Sequence, residues 1–377
     1  MTFPRMIRNS LAVLAALVTV GAGAALAGCV AARAGGTAAR PNPAHAGVTW
    51  PVRLVLAEPG SLKIVSQVVD PETKSDFALT RGPHGSFLLR RLGLAGGHVT
   101  IGPSFPVSSI ALAGGSLWVF GAEPMGQTSQ RVKLYRVNPR SLHVELAVTR
   151  GVSRGASGLA ALTPGSHGTI WVSSGRTVLH LSGRTAAVMA RLQLPAGQVA
   201  GDIALSPTGH SLYVATSPRT GGGASFVFEY NAVSLRKLAV NAKTVTAVAV
   251  GGGTLTAAPA GVWVSFRTGM AGRTVLLRQR DLRSVKLPGS GARRNLFSWG
   301  MWASTAYSAP SLYLIQSDSA LAGCVNPRTG HIRARGTIGG HLEVDQLEAF
   351  GQRGRVLYAV SPHGVVAIHP PAACRTS

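Results

Sequence analysis

The sequence predicts an all-β protein assembled from repeated four-stranded units. The main observation is a repeat in which an apolar strand rich in small residues is followed by a turn and by a second strand that carries an aromatic residue. These aromatic residues lie 53, 42, 50, 50 and 45 residues apart, which is the spacing of β-propeller blades. They are Trp118, Trp171, Tyr213, Trp263, Tyr313 and Tyr358. Composition agrees, since 47 glycines and 22 prolines suit many short strands joined by tight turns.

The first 28 residues have the composition of a signal peptide. Arg5 and Arg8 precede an apolar stretch over residues 11–25, and small residues follow it. A transmembrane anchor is the alternative, but the apolar stretch is short for a bilayer and is interrupted by Gly and Thr. We therefore expect residues 1–28 to direct export and to be removed.

The segment Leu26-Ala27-Gly28-Cys29 resembles the lipobox of bacterial lipoproteins at all four positions. The resemblance implies cleavage before Cys29 and a diacylglyceryl group, with palmitate-type chains, on its sulfur. Two acyl chains hold a protein stably on a membrane where one would not. Residues 29–47 are rich in Ala, Gly, Pro and Arg, which predicts a flexible linker between the lipid anchor and the folded domain. The expected location is extracytoplasmic, on the cell membrane.

Residues 48–377 are expected to form the propeller domain. Division of the 323 residues of the span 48–370 by the mean aromatic spacing of 48 gives about 6.7, so seven blades make the nearest closed ring. The predicted blades are 48–103, 107–150, 157–196, 200–242, 245–289, 295–339 and 344–370. Residues 70–74 are expected to be an extra segment within the first blade. The last blade has three strands of its own, so we expect residues 47–52 to supply the fourth, with Trp50 buried between blades.

The second half of each unit contains a hairpin turn, seen most clearly at Asn138-Pro139 and Asn326-Pro327. Asn favours such a turn because its side chain accepts a backbone hydrogen bond two residues on, and Pro fixes the next φ. Together with the aromatic strand, these turns resemble the repeat of the YVTN-type β-propellers. The resemblance covers residues 48–370 and implies seven four-stranded blades around a channel, without implying any one activity.

The formal charge of +24 and the pI of about 11.6 favour a polyanionic partner. Composition is the alternative explanation, because 31 of the 37 basic residues are Arg, as a GC-rich genome produces. The basic residues are dispersed, and the aromatic-basic interleaving that stacks nucleic-acid bases is missing from the sequence. We expect weak, salt-sensitive attraction to anionic envelope polymers or lipid headgroups, and no binding of nucleic acid.

The densest acidic cluster lies at residues 341–348, at the entry to the last blade. Alternation along an extended strand places His341, Glu343 and Asp345 on one side, where they suit metal ligands or an acid/base pair. The alternative is a charged edge strand that pairs with nearby Arg. The aromatic run at residues 297–302 is either a ligand-stacking platform or the buried first strand of a blade, and we favour the strand. A metal-assisted enzyme of the lyase or lactonase kind is therefore the second functional hypothesis, and no cofactor is predicted.

The chain has three cysteines. Lipidation of Cys29 leaves Cys324 and Cys374, and an even number of cysteines in an oxidising compartment favours a disulfide between them. Such a bond would fix the C-terminal end to the sixth blade. The first functional hypothesis is an exported, lipid-anchored propeller that acts as a binding or scaffolding module in the cell envelope, with a protein partner that the sequence does not identify.

Overall fold

The computed structural model of the 377-residue chain describes residues 48–57, 64–70, 75–81, 87–92, 97–101, 110–125, 129–148, 161–219, 225–241, 254–268, 271–287, 296–299, 303–316, 320–339, 346–350, 356–361 and 364–376. Strands within these residues form seven antiparallel sheets. Each sheet contains four neighbouring hydrogen-bonded strands, and one sheet has a short fifth strand. Helical structure in the same ranges is limited to two 3₁₀ turns, at Ser166–Gly168 and Ala372–Cys374. The predicted all-β, seven-bladed propeller of four-stranded blades is confirmed.

The strands are numbered in chain order, and each blade is given from its first to its last strand. The chain opens with β1 (Val52–Ala57), which belongs to blade 7. Blade 1 contains β2 (Ile64–Asp70), β3 (Ser75–Arg81), β4 (Phe87–Leu92) and β5 (His98–Thr100). Blade 2 contains β6 (Ile110–Ala113), β7 (Ser116–Met125), β8 (Ser129–Val137) and β9 (Val144–Val148). Blade 3 contains β10 (Leu162–Pro164), β11 (Thr169–Ser174), β12 (Thr177–Ser182) and β13 (Val188–Gln193).

The remaining blades follow the same plan. Blade 4 contains β14 (Gln198–Leu205), β15 (Ser211–Pro218), β16 (Phe226–Asn231) and β17 (Lys237–Asn241). Blade 5 contains β18 (Thr254–Ala258), β19 (Gly261–Thr268), β20 (Ala271–Arg278) and β21 (Ser284–Val285), and the short strand β22 (Ser298–Trp299) also pairs with β20. Blade 6 contains β23 (Ala303–Ser308), β24 (Ser311–Gln316), β25 (Leu321–Val325) and β26 (Ile332–Thr337). Blade 7 contains β27 (Gln346–Phe350), β28 (Val356–Ser361), β29 (Gly364–Ile368) and then β1.

The first strands of consecutive blades contact one another around the whole ring, and β27 of blade 7 contacts β2 of blade 1. These strands therefore surround the central axis, and the fourth strands lie at the rim. Small residues such as Ala111 and Ala113 in β6 are buried there, as the crowding of first strands requires.

One end of each of blades 2 to 6 carries two turns. Because neighbouring strands are antiparallel, the turn between the first and second strands and the turn between the third and fourth lie at the same end. Hydrogen bonds join the two turns: the Ala232 N–H donates to the His210 carbonyl at 2.8 Å, and the Gln279 N–H donates to the Ala260 carbonyl at 2.9 Å. We call the surface formed by both sets of turns the turn face.

The N-terminal strand closes the ring. β1 pairs with β29 from Val52 opposite Ile368 to Ala57 opposite Gly364, and it thereby becomes the fourth strand of blade 7. The predicted closure by an N-terminal strand is confirmed, but the strand is Val52–Ala57 and not the predicted residues 47–52. The predicted start of blade 1 is corrected, because blade 1 begins at β2. Of the predicted extra segment at residues 70–74, residues 71–74 lie outside the described part of the chain.

Trp50 lies between blades 6 and 7 and has no exposed surface. It packs in one cluster with Tyr313, Leu357 and Val366. Its backbone N–H donates to the Thr337 carbonyl at 2.8 Å, which ties the entering chain to the end of β26.

The repeated aromatic residues fill the spaces between blades. Trp118, Trp171, Tyr213, Trp263 and Tyr313 each have at most 1% of their surface exposed. The prediction for the aromatic run at residues 297–302 is wrong, because the first strand of blade 6 begins at Ala303. Phe297 is instead buried against the ring of Trp263, with 6.1 Å between the ring centroids.

The sulfur atoms of Cys324 and Cys374 are 2.07 Å apart, with 5.7 Å between the Cα atoms, so this pair stands at disulfide distance as the sequence predicted. Cys324 lies in β25, and Cys374 ends the 3₁₀ turn after the last strand. Both side chains are fully buried. The C-terminal end is thereby held against blade 6, where the Ser311 hydroxyl also donates to the Cys374 carbonyl at 2.6 Å.

Removal of β1 is expected to open the ring. A chain that starts at His45 should keep the melting temperature of the chain that starts at Val30, whereas a chain that starts at Leu54 loses Trp50 and the first residues of β1. Loss of a buried Trp alone costs about 3–5 kcal/mol, so the melting temperature of the shorter chain should fall by about 5 °C or more. Equal melting temperatures of the two truncated chains, measured by calorimetry, would contradict the assigned closure.

Reduction of the cysteine pair is expected to destabilise the fold. The two residues are 50 positions apart, and closure of a loop of that length contributes about 4 kcal/mol in the chain-entropy model. Mass spectrometry of the native protein should find no free thiol at either residue, and reductant should lower the melting temperature. The double variant Cys324→Ala/Cys374→Ala is the control, since its melting temperature should not respond to reductant.

Candidate interaction face

The turns between the third and fourth strands share one hydrogen-bond pattern in blades 2 to 6. In blade 2, the Asn138 N–H donates to the His143 carbonyl, and its carbonyl accepts from the Leu142 N–H, both at 2.9 Å. The same pair of bonds starts at the equivalent first residues, which are Ser182, Asn231, Arg278 and Asn326. Since the two bonds close each loop at its base, the residues at its tip are held in a fixed geometry.

The side chain at the first position stabilises most of these turns. The Asn138 Oδ1 atom accepts hydrogen bonds from the Arg140 N–H at 2.9 Å and the Ser141 N–H at 3.2 Å. Asn231 and Asn326 do the same, and the Ser182 hydroxyl oxygen takes this role in blade 3. The predicted role of Asn is confirmed, and Ser replaces it without a change in the backbone.

The fifth residue of each turn has the left-handed backbone conformation. These residues are Leu142, Ala186, Leu235, Leu282 and Gly330, with φ between 50° and 71°. A left-handed leucine costs about 1–2 kcal/mol, while burial of its side chain contributes about 1.5–3 kcal/mol. Leu142 and Leu282 are buried in the cores between blades, so packing offsets the backbone strain there.

The third residue of each turn projects from the turn face. It is Arg140, Arg184, Arg280 and Arg328 in four of the five turns, and all four side chains are exposed. Within the described residues, none of the four guanidinium groups forms an ion pair with a carboxylate. In blade 4 this position is Val233, which is 82% exposed. The repeated turn therefore presents a cation from four different blades on one surface.

Contacts between consecutive blades tie the turns together. The Arg91 guanidinium of blade 1 donates to the carbonyls of Pro139 and Arg140 in blade 2. The Trp263 indole N–H of blade 5 donates to the Pro327 carbonyl of blade 6 at 3.2 Å. The exposed arginines thus project from a backbone that is bonded from blade to blade.

A buried carboxylate makes this connection between blades 4 and 5. Glu229 has no exposed surface; its Oε1 accepts from the Ser211 hydroxyl at 2.8 Å and its Oε2 accepts from the Arg280 N–H at 2.6 Å. The Gln279 side chain donates to the Ser211 oxygen at 2.9 Å. Arg280 has φ 76°, so Glu229 holds the backbone of one exposed arginine in an uncommon conformation. The Tyr213 hydroxyl is buried nearby, and its pKa is raised by burial and by the charge of Glu229.

A second inter-blade carboxylate lies near the axis. Asp202 occupies a bulge in β14, where the pairing with β15 shifts between Ala200 and Ile203. Its Oδ1 accepts from its neighbour Ile203 N–H at 2.9 Å, and its Oδ2 accepts from the Leu255 N–H of β18 at 2.6 Å. The residue is partly accessible, but its carboxyl group is enclosed by protein. Burial raises the pKa of Asp202 to about 6, against the lowering effect of the two N–H donors.

The candidate catalytic residues His341, Glu343 and Asp345 lie outside the described residues, as does Cys29. Within the ranges that are described, no group of three or more His, Cys, Asp or Glu is placed to hold a metal ion. In those ranges, no helix is long and apolar enough to cross a membrane. His180 is stacked on Trp171 with 4.1 Å between ring centroids, and burial lowers its pKa, so it serves the core of blade 3.

The fold and its turn face define a seven-bladed propeller with an arginine-bearing surface, and comparisons with known proteins agree on the fold. No protein-family model and no curated protein matches the sequence. The β-propeller domain of Cps50 (Swd1) from Myceliophteria thermophila is 13% identical, with a TM-score of 0.54 over 84% of this chain and 99% of that chain. BamB from Moraxella catarrhalis is 16% identical, with a TM-score of 0.51 over 81% and 84%. Hydrazine synthase from Kuenenia stuttgartiensis is 10% identical, with a TM-score of 0.56 over 82% and 96%. At these identities the similarity shows the propeller fold.

Asp202 is expected to make the stability of the propeller depend on pH. Because the pKa is raised from 3.8 to about 6, the folded protein binds more protons than the unfolded chain in this interval. The contribution of Asp202 to the free energy of unfolding is therefore largest below pH 4, falls as the pH rises through 6 and is constant above it, with a total change of at most about 3 kcal/mol.

Denaturant unfolding of the wild type and of Asp202→Asn at a series of pH values measures this contribution. The difference between the two should decrease from pH 4 to pH 6.5, because the asparagine does not ionise. If the free energies of unfolding of the wild type and of Asp202→Asn differ by the same amount at every pH, the Asp202 carboxyl titrates in the same way in the folded and unfolded chains.

Proposed function

We propose that this chain is an exported, lipid-anchored propeller that acts as a binding or scaffolding module in the cell envelope. The observation that carries the proposal is the turn face, where exposed arginines of four blades project from turns that hydrogen bonds hold in place. A surface of this kind suits binding, because little conformational freedom is lost when a partner docks on it.

The location in the envelope is proposed from the sequence. Residues 1–28 have the pattern of an export signal, and Leu26-Ala27-Gly28-Cys29 resembles a lipobox. The cysteine pair at disulfide distance suits an oxidising compartment, where such bonds persist. Cleavage before Cys29 removes Arg5 and Arg8 and leaves 35 basic and 13 acidic residues, so the mature chain keeps a formal charge of +22.

The proposed partners are an envelope protein or anionic groups of the envelope. Arg is the residue that binds carboxylate and phosphate groups in bidentate geometry, and the arginines of the turn face are free for such contacts within the described structure. Nucleic acid is not proposed, because an exported protein has little access to it.

The anchor is tested by the variant Cys29→Ala in the full chain, expressed in a bacterial host that processes lipoproteins. The wild type should fractionate with membranes after washing and gain the mass of a diacylglyceryl group, since two acyl chains anchor stably. The variant should remain uncut or appear in the soluble fraction without that mass.

Ser10→Ala, within the proposed signal and outside the lipobox, is the matched control and should behave as the wild type does. A Cys29→Ala variant with normal cleavage and with full retention on washed membranes would overturn the proposed lipid anchor.

A further inference from the structure

Exposed apolar residues concentrate at the rim of blades 3 and 4. Val188 and Met189 begin β13 and are 49% and 58% exposed, and Leu238 near the start of β17 is 37% exposed. Val233, in the turn before β17, is 82% exposed. Among the described residues, the other exposed large apolar side chains are Val48, Leu54 and Val240. Four of these residues lie at the starts of the fourth strands of two neighbouring blades or in the turn before one of them, and we call them together the rim patch: Val188, Met189, Val233 and Leu238.

The rim patch borders the turn face. In blades 2 to 6 the fourth strand follows the turn between the third and fourth strands, so β13 and β17 both begin at the turn face. Val188, Met189 and Leu238 stand at those beginnings, and Val233 takes the turn position that is Arg in the four other described turns of this type. The apolar residues therefore share a surface with the arginines.

Cations surround the patch, and the nearby carboxylates are already engaged. Arg236 and Lys237 follow Val233 and are exposed, and Arg184 stands before Val188 in blade 3. Of the described carboxylates near this end of blades 2 to 6, Glu229 is buried, Glu145 is paired with Arg136 and Asp281 is paired with Arg278. Within the described part of the chain, the turn face thus combines exposed cations with exposed apolar side chains.

We propose that the turn face is a contact surface for an anionic phospholipid bilayer, with the rim patch inserted at the interface. The arginines of blades 2, 3, 5 and 6 lie on one face of the propeller, so a flat anionic surface can contact all of them at once. A linear polyanion would contact only arginines of neighbouring blades. The exposed Val, Met and Leu side chains favour a bilayer over a soluble polyanion. A bilayer can remove them from water at its acyl boundary, whereas a hydrated polyanion cannot. Basic residues near an anionic leaflet add attraction that salt screens.

This inference rests on the proposed function. It is tested on a chain without the Cys29 lipid anchor, so a failure of vesicle binding can be distinguished from a failure of the proposed anchor.

The experiment uses the unlipidated chain from Val30 to the C-terminus with Cys29 removed, since every strand of the seven sheets lies between Val52 and Ile368. Cosedimentation is measured with vesicles of phosphatidylglycerol and phosphatidylcholine and with vesicles of phosphatidylcholine alone, at low and high salt. We expect binding to the anionic vesicles that high salt weakens. Arg184→Gln/Arg328→Gln should weaken it about tenfold or more, since each basic residue contributes on the order of 1 kcal/mol near such a surface.

The matched control is Arg219→Gln/Arg273→Gln, which removes the same charge from exposed arginines at the opposite end of blades 4 and 5. This control should bind as the wild type does, and equal weakening of both double variants would overturn the assignment of the turn face. Val233→Ser should weaken vesicle binding severalfold, and Val48→Ser, at another exposed valine, should not.

Soluble poly(glycerol phosphate) is the competing probe. If it binds as tightly as the vesicles do, and if Val233→Ser has no effect on either, the partner is a polyanion and the bilayer proposal is wrong. Absence of vesicle binding at low salt would equally overturn it. Circular dichroism and melting temperatures of all variants show that each one is folded, so that a loss of binding is not a loss of structure.

Discussion

The pairing of β1 with β29 is the interaction on which the rest of the structure depends. The last three strands of the chain would otherwise leave blade 7 with an open edge, and an unpaired strand edge recruits other chains. With β1 in place, the first strands of all seven blades contact one another in a closed ring. Trp50 and the pair Cys324–Cys374 both act at the same junction between blades 6 and 7. The β1–β29 pairing, the buried Trp50 and the cysteine pair therefore all stabilise the junction of blades 6 and 7, where the ring is closed by strands from opposite ends of the chain.

The fold could be predicted because its signals are periodic. The aromatic residues must fill the spaces between blades, so they recur at the length of a blade, and closure follows from a count of strands in the last one. The strand count predicted an N-terminal closing strand but not its limits, because residues 52–57 are apolar like the other strands and their sequence does not separate them from blade 1. The aromatic run at residues 297–302 was predicted to be a first strand because aromatic residues are usually buried. Phe297 is buried, but it packs against Trp263 of blade 5 and does not belong to the first strand of blade 6.

The candidate site was less accessible to sequence reasoning. Only the turns at Asn138 and Asn326 carry the Asn-Pro signature, so the equivalent turn at Ser182 is not recognised by its residues. The backbone hydrogen bonds reveal the equivalence, and with it the repeated arginine at the third position. Glu229 and Asp202 could not be selected either, because their importance comes from N–H groups of the next blade, about fifty residues away in sequence. The candidates that residue type did suggest, His341, Glu343 and Asp345, lie outside the described residues.

The closure also imposes an order in time. Of the described strands, β1, which completes blade 7, is synthesised first, and its partner β29 is synthesised last. More than three hundred residues separate Val52 from Ile368, so the contact carries a large loop-closure entropy and must form late. Until then, the chain holds an apolar strand without a partner, and blades 1 to 6 have to form around an unfinished ring. A nascent chain of this protein therefore closes its ring only after β29 has been synthesised, and exposure to aggregation is greatest just before that moment.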